Sequence, residues 1–405
     1  MNPVLELGTV ALGLYLAGWL AQRWGLASIV GYIALGLAFG PGGPLPVYAP
    51  SATIGLFGDL GLLMLLFFMG LEFSPARFAE GGRAIVVAGT IDLANFAVGF
   101  AAGLLLGFGW LAGLFLGGIT YISSSGVIAK LLTERRLLAY PEAERTLGVL
   151  VYEDLAMIAI LGGLGLLTAG GGWQDFLGVA LVLLAFGALL RWGRRPLERL
   201  LSREGEAFVL LAIALIALGA MGAHRLGFPE AVAAFLLGMM LAESRHKERL
   251  EATLVPWRDV AAAVFFLDFA LSVDLAAAFA VAPVALALAS ATALVNLGSG
   301  YLAGRVTGLS HRAAVGHGLM LVPRGEFSLV IVGLAAGVTL LPAEVRTALT
   351  GITSVYVLTL VVAGSFVFVA YDRVNERLAR WLLSPAARRR LRERERQLAA
   401  TRLDA

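Results

Sequence analysis

The chain has 405 residues, 59% of them hydrophobic and 15% charged, and no cysteine, where soluble proteins average roughly half hydrophobic and a quarter charged. That balance points away from a soluble enzyme and towards a membrane protein, and the missing cysteine excludes disulfides, thiolate metal centres and cysteine nucleophiles. The net charge of +3 says little until its distribution along the chain is followed.

Apolar windows of about 20 residues, one per membrane crossing, fall at 4–22, 26–40, 53–73, 84–108, 110–132, 145–169, 174–192, 206–223, 229–243, 258–275, 280–303, 312–337 and 346–371. The first has no basic segment before it and no small-residue cleavage pattern after it, so it reads as a span and not a signal peptide. The second and ninth are short enough to be tilted or re-entrant. Lysine and arginine test this series of thirteen, because basic residues concentrate in cytoplasmic loops. One set of loops holds Arg23; Arg77 and Arg83; Lys130, Arg135, Arg136 and Arg145; Arg191, Arg194, Arg195, Arg199 and Arg203; Arg245, Lys247, Arg249 and Arg258; Arg305 and Arg312. The other holds only Arg225 and Arg346, and Arg324 lies inside a span. The alternation predicts residues 1–371 as one transmembrane domain of thirteen helices in a cell (inner) membrane, with the N-terminus outside and the C-terminus cytoplasmic. Residues 372–405 form a short tail with ten arginines. It reads as a helix for anionic lipid headgroups or as a docking site for a separate cytoplasmic regulatory subunit.

A charge at bilayer depth costs about 2.5–3.5 kcal/mol or more and so needs a partner, a proton or a function. The deep ionisable residues are Asp92, Glu153, Asp154, Asp268, Arg324 and Glu326, with Asp59 and Glu72 nearer span ends. Glu153 and Asp154 are adjacent near the middle of the sixth span, about 100° apart on a helix, so they face different surroundings. A carboxylate in low dielectric favours its protonated form, while a bound cation favours the ionised form. Proton and cation then compete for one site, as an antiporter requires.

In the twelfth span, Pro323 and Gly325 within Leu321–Val322–Pro323–Arg324–Gly325–Glu326–Phe327–Ser328 predict a helix break, with Arg324 and Glu326 beside it. Such breaks are tolerated at membrane depth only inside protein or along a cavity. The fifth span carries a matching irregularity, Gly117 to Gly126, with Thr120, Ser123, Ser124 and Ser125 offering hydroxyls. Small-residue runs alone signal close helix packing. Two interruptions in corresponding halves signal inverted repeats around a midplane site.

These residues resemble the monovalent cation:proton antiporter-2 family, which includes Kef-type potassium/proton exchangers and bacterial sodium/proton antiporters. The resemblance runs from Leu5 to Tyr371. It is carried by Gly61–Glu72, Ser123–Ser125, Glu153–Asp154, Phe265–Leu275 and Pro323–Ser328. It implies an all-α polytopic protein of about thirteen helices with inverted repeats, two crossed broken helices, a core moving like an elevator against a dimerisation panel, and a homodimer. It makes Asp154 the ligand shared by H⁺ and a metal cation, Na⁺ or K⁺. Glu153 stands where sodium-type members have Asp or Asn and Kef-type members Gln, and Asn296 stands where many members have Lys. The stoichiometry and the partner of Glu153 are therefore open, with Arg324 one candidate partner.

The reading is a secondary antiporter exchanging K⁺ or Na⁺ for H⁺, with no cofactor and no nucleic-acid partner. A gated channel or non-transporting sensor of antiporter-like fold is the alternative, and a sodium-coupled organic-anion carrier a further one. An intramembrane hydrolase is disfavoured, because His224, His246, His311 and His317 form no metal-binding helical pair.

Overall fold

The computed structural model describes residues 3–45, 51–72, 75–168, 201, 205–225, 230–242, 244–273 and 275–382. The helices, numbered here in chain order, are α1 (Pro3–Arg23), α2 (Ser28–Phe39), α3 (Ala52–Glu72), α4 (Pro75–Asp92), α5 (Ala94–Leu105), α6 (Gly109–Tyr121), α7 (Ser125–Glu134) and α8 (Pro141–Thr168). After a segment outside the described residues come α9 (Glu206–Arg225), α10 (Glu230–Leu241), α11 (Lys247–Leu271), α12 (Leu275–Val306), α13 (His311–Met320), α14 (Glu326–Gly337), α15 (Ala343–Val369) and α16 (Tyr371–Leu382). No strand occurs among the described residues. Eight stretches of these residues are long and apolar enough to cross a membrane, and 28–39, 232–241 and 327–337 are shorter apolar helices.

Helices stand at twelve of the thirteen apolar windows; the window at 174–192 lies outside the described residues. Three segments differ from expectation. The fourth window is interrupted at Leu93, after a helix that begins at Pro75 and kinks at Gly82. The tenth is preceded by eleven further helical residues from Lys247, held down by fully buried Leu250 and Leu254. Tyr371 belongs not to the last long helix but to α16, which starts after a bend at Ala370.

The helices pack in two groups. In one, α3 lies against α10 and α11, α2 against α1 and α11, and α9 against α10. In the other, α12 packs on α4, α5, α13 and α15, α6 on α5 and α14, and α8 on α4 and α13. Without a hydrophobic gradient between helix and lipid, close backbone approach drives such packing. Gly61 of α3 leaves no room for a Cβ against the Ala261 carbonyl of α11, and Gly70 none against the Phe235 carbonyl of α10.

Gly61→Val is therefore expected to overpack the α3–α11 seam at a cost of about 1–3 kcal/mol and to lower the thermal unfolding temperature of the detergent-purified protein. Gly55→Ala on the same helix, with nothing within 4 Å of the added methyl, leaves that temperature unchanged.

Candidate ion-binding site

Both expected interruptions are present and meet. Helix α6 ends at Tyr121 and α7 starts at Ser125; α13 ends at Met320 and α14 starts at Glu326. The two unwound segments are joined by a main-chain hydrogen bond from Ser124 N to Pro323 O, 3.0 Å. Gly325 permits the approach, since a Cβ there would lie 2.5 Å from Ser124 Oγ and 2.7 Å from Ser124 Cβ. Each break is capped locally. Ser124 Oγ accepts from Val127 N at 3.2 Å, serving as N-cap of α7, and Ser328 Oγ donates to Ile119 O at 2.8 Å near the end of α6.

Arg324 fills the crossing and is 0% exposed. Its Nη1 donates to Ser123 Oγ and, at 3.2 Å, to Leu321 O. Its Nη2 donates to Asn296 Oδ1 at 3.0 Å, and the Tyr356 hydroxyl lies beside the guanidinium. Asn296 links α12 to the same point, donating from Nδ2 to Leu321 O at 3.1 Å. A cation beside the last carbonyls of a helix such as α13 is electrostatically favourable.

Glu153 is 1% exposed and turns to the fifth-span break, where Oε2 accepts from Ser123 N at 2.6 Å and Oε1 from Ser123 Oγ at 3.1 Å. Arg324 acts on it directly. Asp154 is also buried, 7% exposed, and lies about 100° further round the helix. Thr120, fully buried, donates to Asn95 O at 2.9 Å or to Gly117 O at 3.1 Å. Ser125 is spatially separate from the arginine, with Oγ 3.8 Å from Met69 Sδ. Glu326 is the first residue of α14, and its side chain lies outside the described ones.

Asp92, noted in the sequence as a deep carboxylate but given no role, joins the site. It is 1% exposed at the end of α4. Its Oδ1 accepts from Asn95 Nδ2 at 3.0 Å and Ser299 Oγ at 3.4 Å. Glu153 and Arg324 are its charged neighbours. Asp92 Oδ2 meets no donor among the described residues. Asn95 bridges this carboxylate to Asn296 Oδ1 at 2.6 Å. An Asp and an Asn three residues apart in one apolar window was the available signal.

A cavity of about 610 Å³ reaches the crossing between the two helix groups, lined by Tyr32, Phe68, Ser125, Asp259 and Phe327 among others. Gln22 and Arg258 also line it. Among the described residues no group of three or more acidic or imidazole side chains could hold a metal ion, so a cation here would be substrate on few side-chain ligands.

Interrupted helices that meet inside the bundle, with charged groups at the junction and a cavity leading to it, define an ion carrier of the broken-helix class. Residues 10–371 match the family model for the transmembrane sodium/hydrogen exchanger, and the chain belongs to that family of monovalent cation:proton antiporters. It is 34% identical over 387 residues to the K(+)/H(+) antiporter subunit KhtU of Bacillus subtilis, covering 92% of this chain and 94% of that one. It is 31% identical to the ammonium/H(+) antiporter subunit AmhT of Alkalihalophilus pseudofirmus over 82% of this chain and 86% of that one. The sodium proton antiporter MjNhaP1 of Methanocaldococcus jannaschii shares the fold, with TM-score 0.63 at 16% identity over 94% of this chain and 100% of that one.

Removing the buried cation leaves Asp92 and Glu153 uncompensated. Arg324→Met is expected to destabilise the purified protein by about 3–5 kcal/mol, read from its unfolding transition. Adding Glu153→Gln recovers part of the loss, because one of the stranded carboxylates is gone.

Proposed function

We propose that the protein exchanges K⁺ for H⁺ across the cell membrane by alternating access, with Asp154 as the ligand that proton and cation share. The observation that carries this is the division of labour between adjacent carboxylates. Glu153 is tied by both oxygens to Ser123, a structural assignment, and Asp154, buried on another face of the same helix, is the carboxylate given to the transported ion. The preference for K⁺ rests on similarity to relatives named for K⁺ and for ammonium, two monovalent cations of similar size. Na⁺ is the second reading, from the name of the matching family.

In this reading the cavity is the cytoplasmic entrance, since Gln22, among its lining residues, lies beside Arg23 at the basic end of α1. The N-terminus is outside, and α4–α8 with α12–α15 move as a transport unit against α1–α3 and α9–α11 in a homodimer of thirteen-helix protomers. Thr120, Ser123, Ser124 and Ser125 hold the crossing or line the path to it, and Arg324 with Asn296 balances charge. Both relatives are named as subunits, which supports a separate cytoplasmic partner for the tail.

The test is dequenching of a trapped pH dye in proteoliposomes on adding K⁺, Na⁺, Li⁺ or Rb⁺ at pH 6.5–9. Wild type is expected to respond most to K⁺ and Rb⁺, and Asp154→Asn to give no cation-dependent signal; full exchange by that variant would sink the assignment. Glu153→Gln is expected to retain exchange, because the amide oxygen still accepts from Ser123 N and Asp154 is left in place.

A further inference from the structure

Helix α16 follows the last long helix as an amphipathic segment. Tyr371, Asn375 and Ala379, spaced four residues apart, are buried, while Asp372, Arg373, Glu376, Arg377 and Arg380 are exposed. Its buried face sits across the ends of two helices that carry the site. At α8, Tyr371 OH donates to the buried Glu142 Oε1 at 2.6 Å, and the Tyr371 ring meets Tyr140 edge-on at 5.9 Å. At α13, His311 Nε2 donates to Ala379 O at 2.8 Å, and Arg312 reaches Asp372 at 3.2 Å and Glu376 at 3.6 Å.

The tightest point is Gly316 in the middle of α13. A Cβ there would overlap Tyr371 Oη and lie 2.9 Å from both Asn375 Nδ2 and Glu142 Oε1. The next residue, His317, is fully buried and bonds through Nδ1 to Thr146 Oγ1 of α8 at 2.8 Å, and Thr146 in turn donates to Glu142 O at 2.8 Å. Helix α13 is therefore seated from one side by Tyr371 and Asn375 and from another by Thr146.

Helix α13 is only ten residues, about 15 Å, and Ala313 through Met320 are all buried. Just past its end, Leu321 O accepts from Arg324 Nη1 at 3.2 Å and Asn296 Nδ2 at 3.1 Å. Packed interiors pass displacement on instead of absorbing it. We propose that α16 is a positioning element of the ion site: Tyr371 and Asn375, seated on Gly316 and Glu142, set the placement of α13 and through the Leu321 carbonyl the placement of Arg324. Whatever engages the C-terminal tail then acts on the site through this seat. The inference rests on the exchange reading above, and its test separates the two.

In proteoliposomes the half-saturating K⁺ concentration and the maximal rate are measured for wild type, Gly316→Ala, Tyr371→Phe and the double variant. Gly316→Ala wedges the seat open and is expected to raise half-saturation about fivefold or more. The double variant, which removes the hydroxyl that the new methyl meets, returns to within about twofold of wild type, a rescue that lost folding would not give. Half-saturation of Gly316→Ala within about twofold of wild type, or a folded double variant as impaired as the single one, overturns the inference. Should Gly316→Ala fail to fold, Tyr371→Ala decides: vacating the seat gives the same shift of about fivefold or more, and an unchanged value overturns the proposal. Wild type without any cation-dependent signal counts against the exchange reading instead.

Discussion

A guanidinium cannot shed its proton to escape a low-dielectric interior, and Arg324 sits at 0% exposure. Everything around it follows from that demand. It needs acceptors, and a regular helix has none to spare because its carbonyls are bonded internally. The breaks supply them: Leu321 O is free to receive Arg324 because α13 has ended, and Ser123 can turn its hydroxyl inward because α6 has ended. It also needs countercharge, and Asp92 and Glu153 approach from two further helices. The arginine thus hydrogen-bonds three segments at one point, the two breaks and α12.

The same arrangement explains why the site is not a cage. Glu153 and Ser123 are occupied with each other and with the arginine, and Asn95 and Asn296 with each other and with Asp92. An ion that must be released as readily as it is bound is poorly served by many dedicated ligands, and fixed dipoles with one exchangeable carboxylate suit the task better.

Most of the helical framework was legible because the membrane imposes it. Unbonded backbone is forbidden in lipid, so apolar length alone located the helices, and Pro323–Gly325 marked one break correctly. What was not legible depends on tertiary contact. The interruption at Leu93 carries no proline or glycine, so a 24-residue stretch from Gly82 to Leu105 reads as continuous. Asp92 looked like an isolated acid because its partners Ser299 and Glu153 are distant in sequence. Arg324 reads in the sequence only as a charge beside a break, whereas it reaches Ser123 and Asn296, 201 and 28 residues away. Helix α16 was read within a solvated tail because its charge dominates its composition; the few buried residues that dock it are spaced too sparsely to stand out.

The bond from Ser124 N to Pro323 O involves no side chain of either residue. The knot at the centre of the protein is therefore written in backbone, with Gly325 as its one strict steric condition. A lineage can trade one polar neighbour for another at Glu153 or Asn296, and so retune charge and coupling, while the scaffold that makes transport conceivable stays untouched.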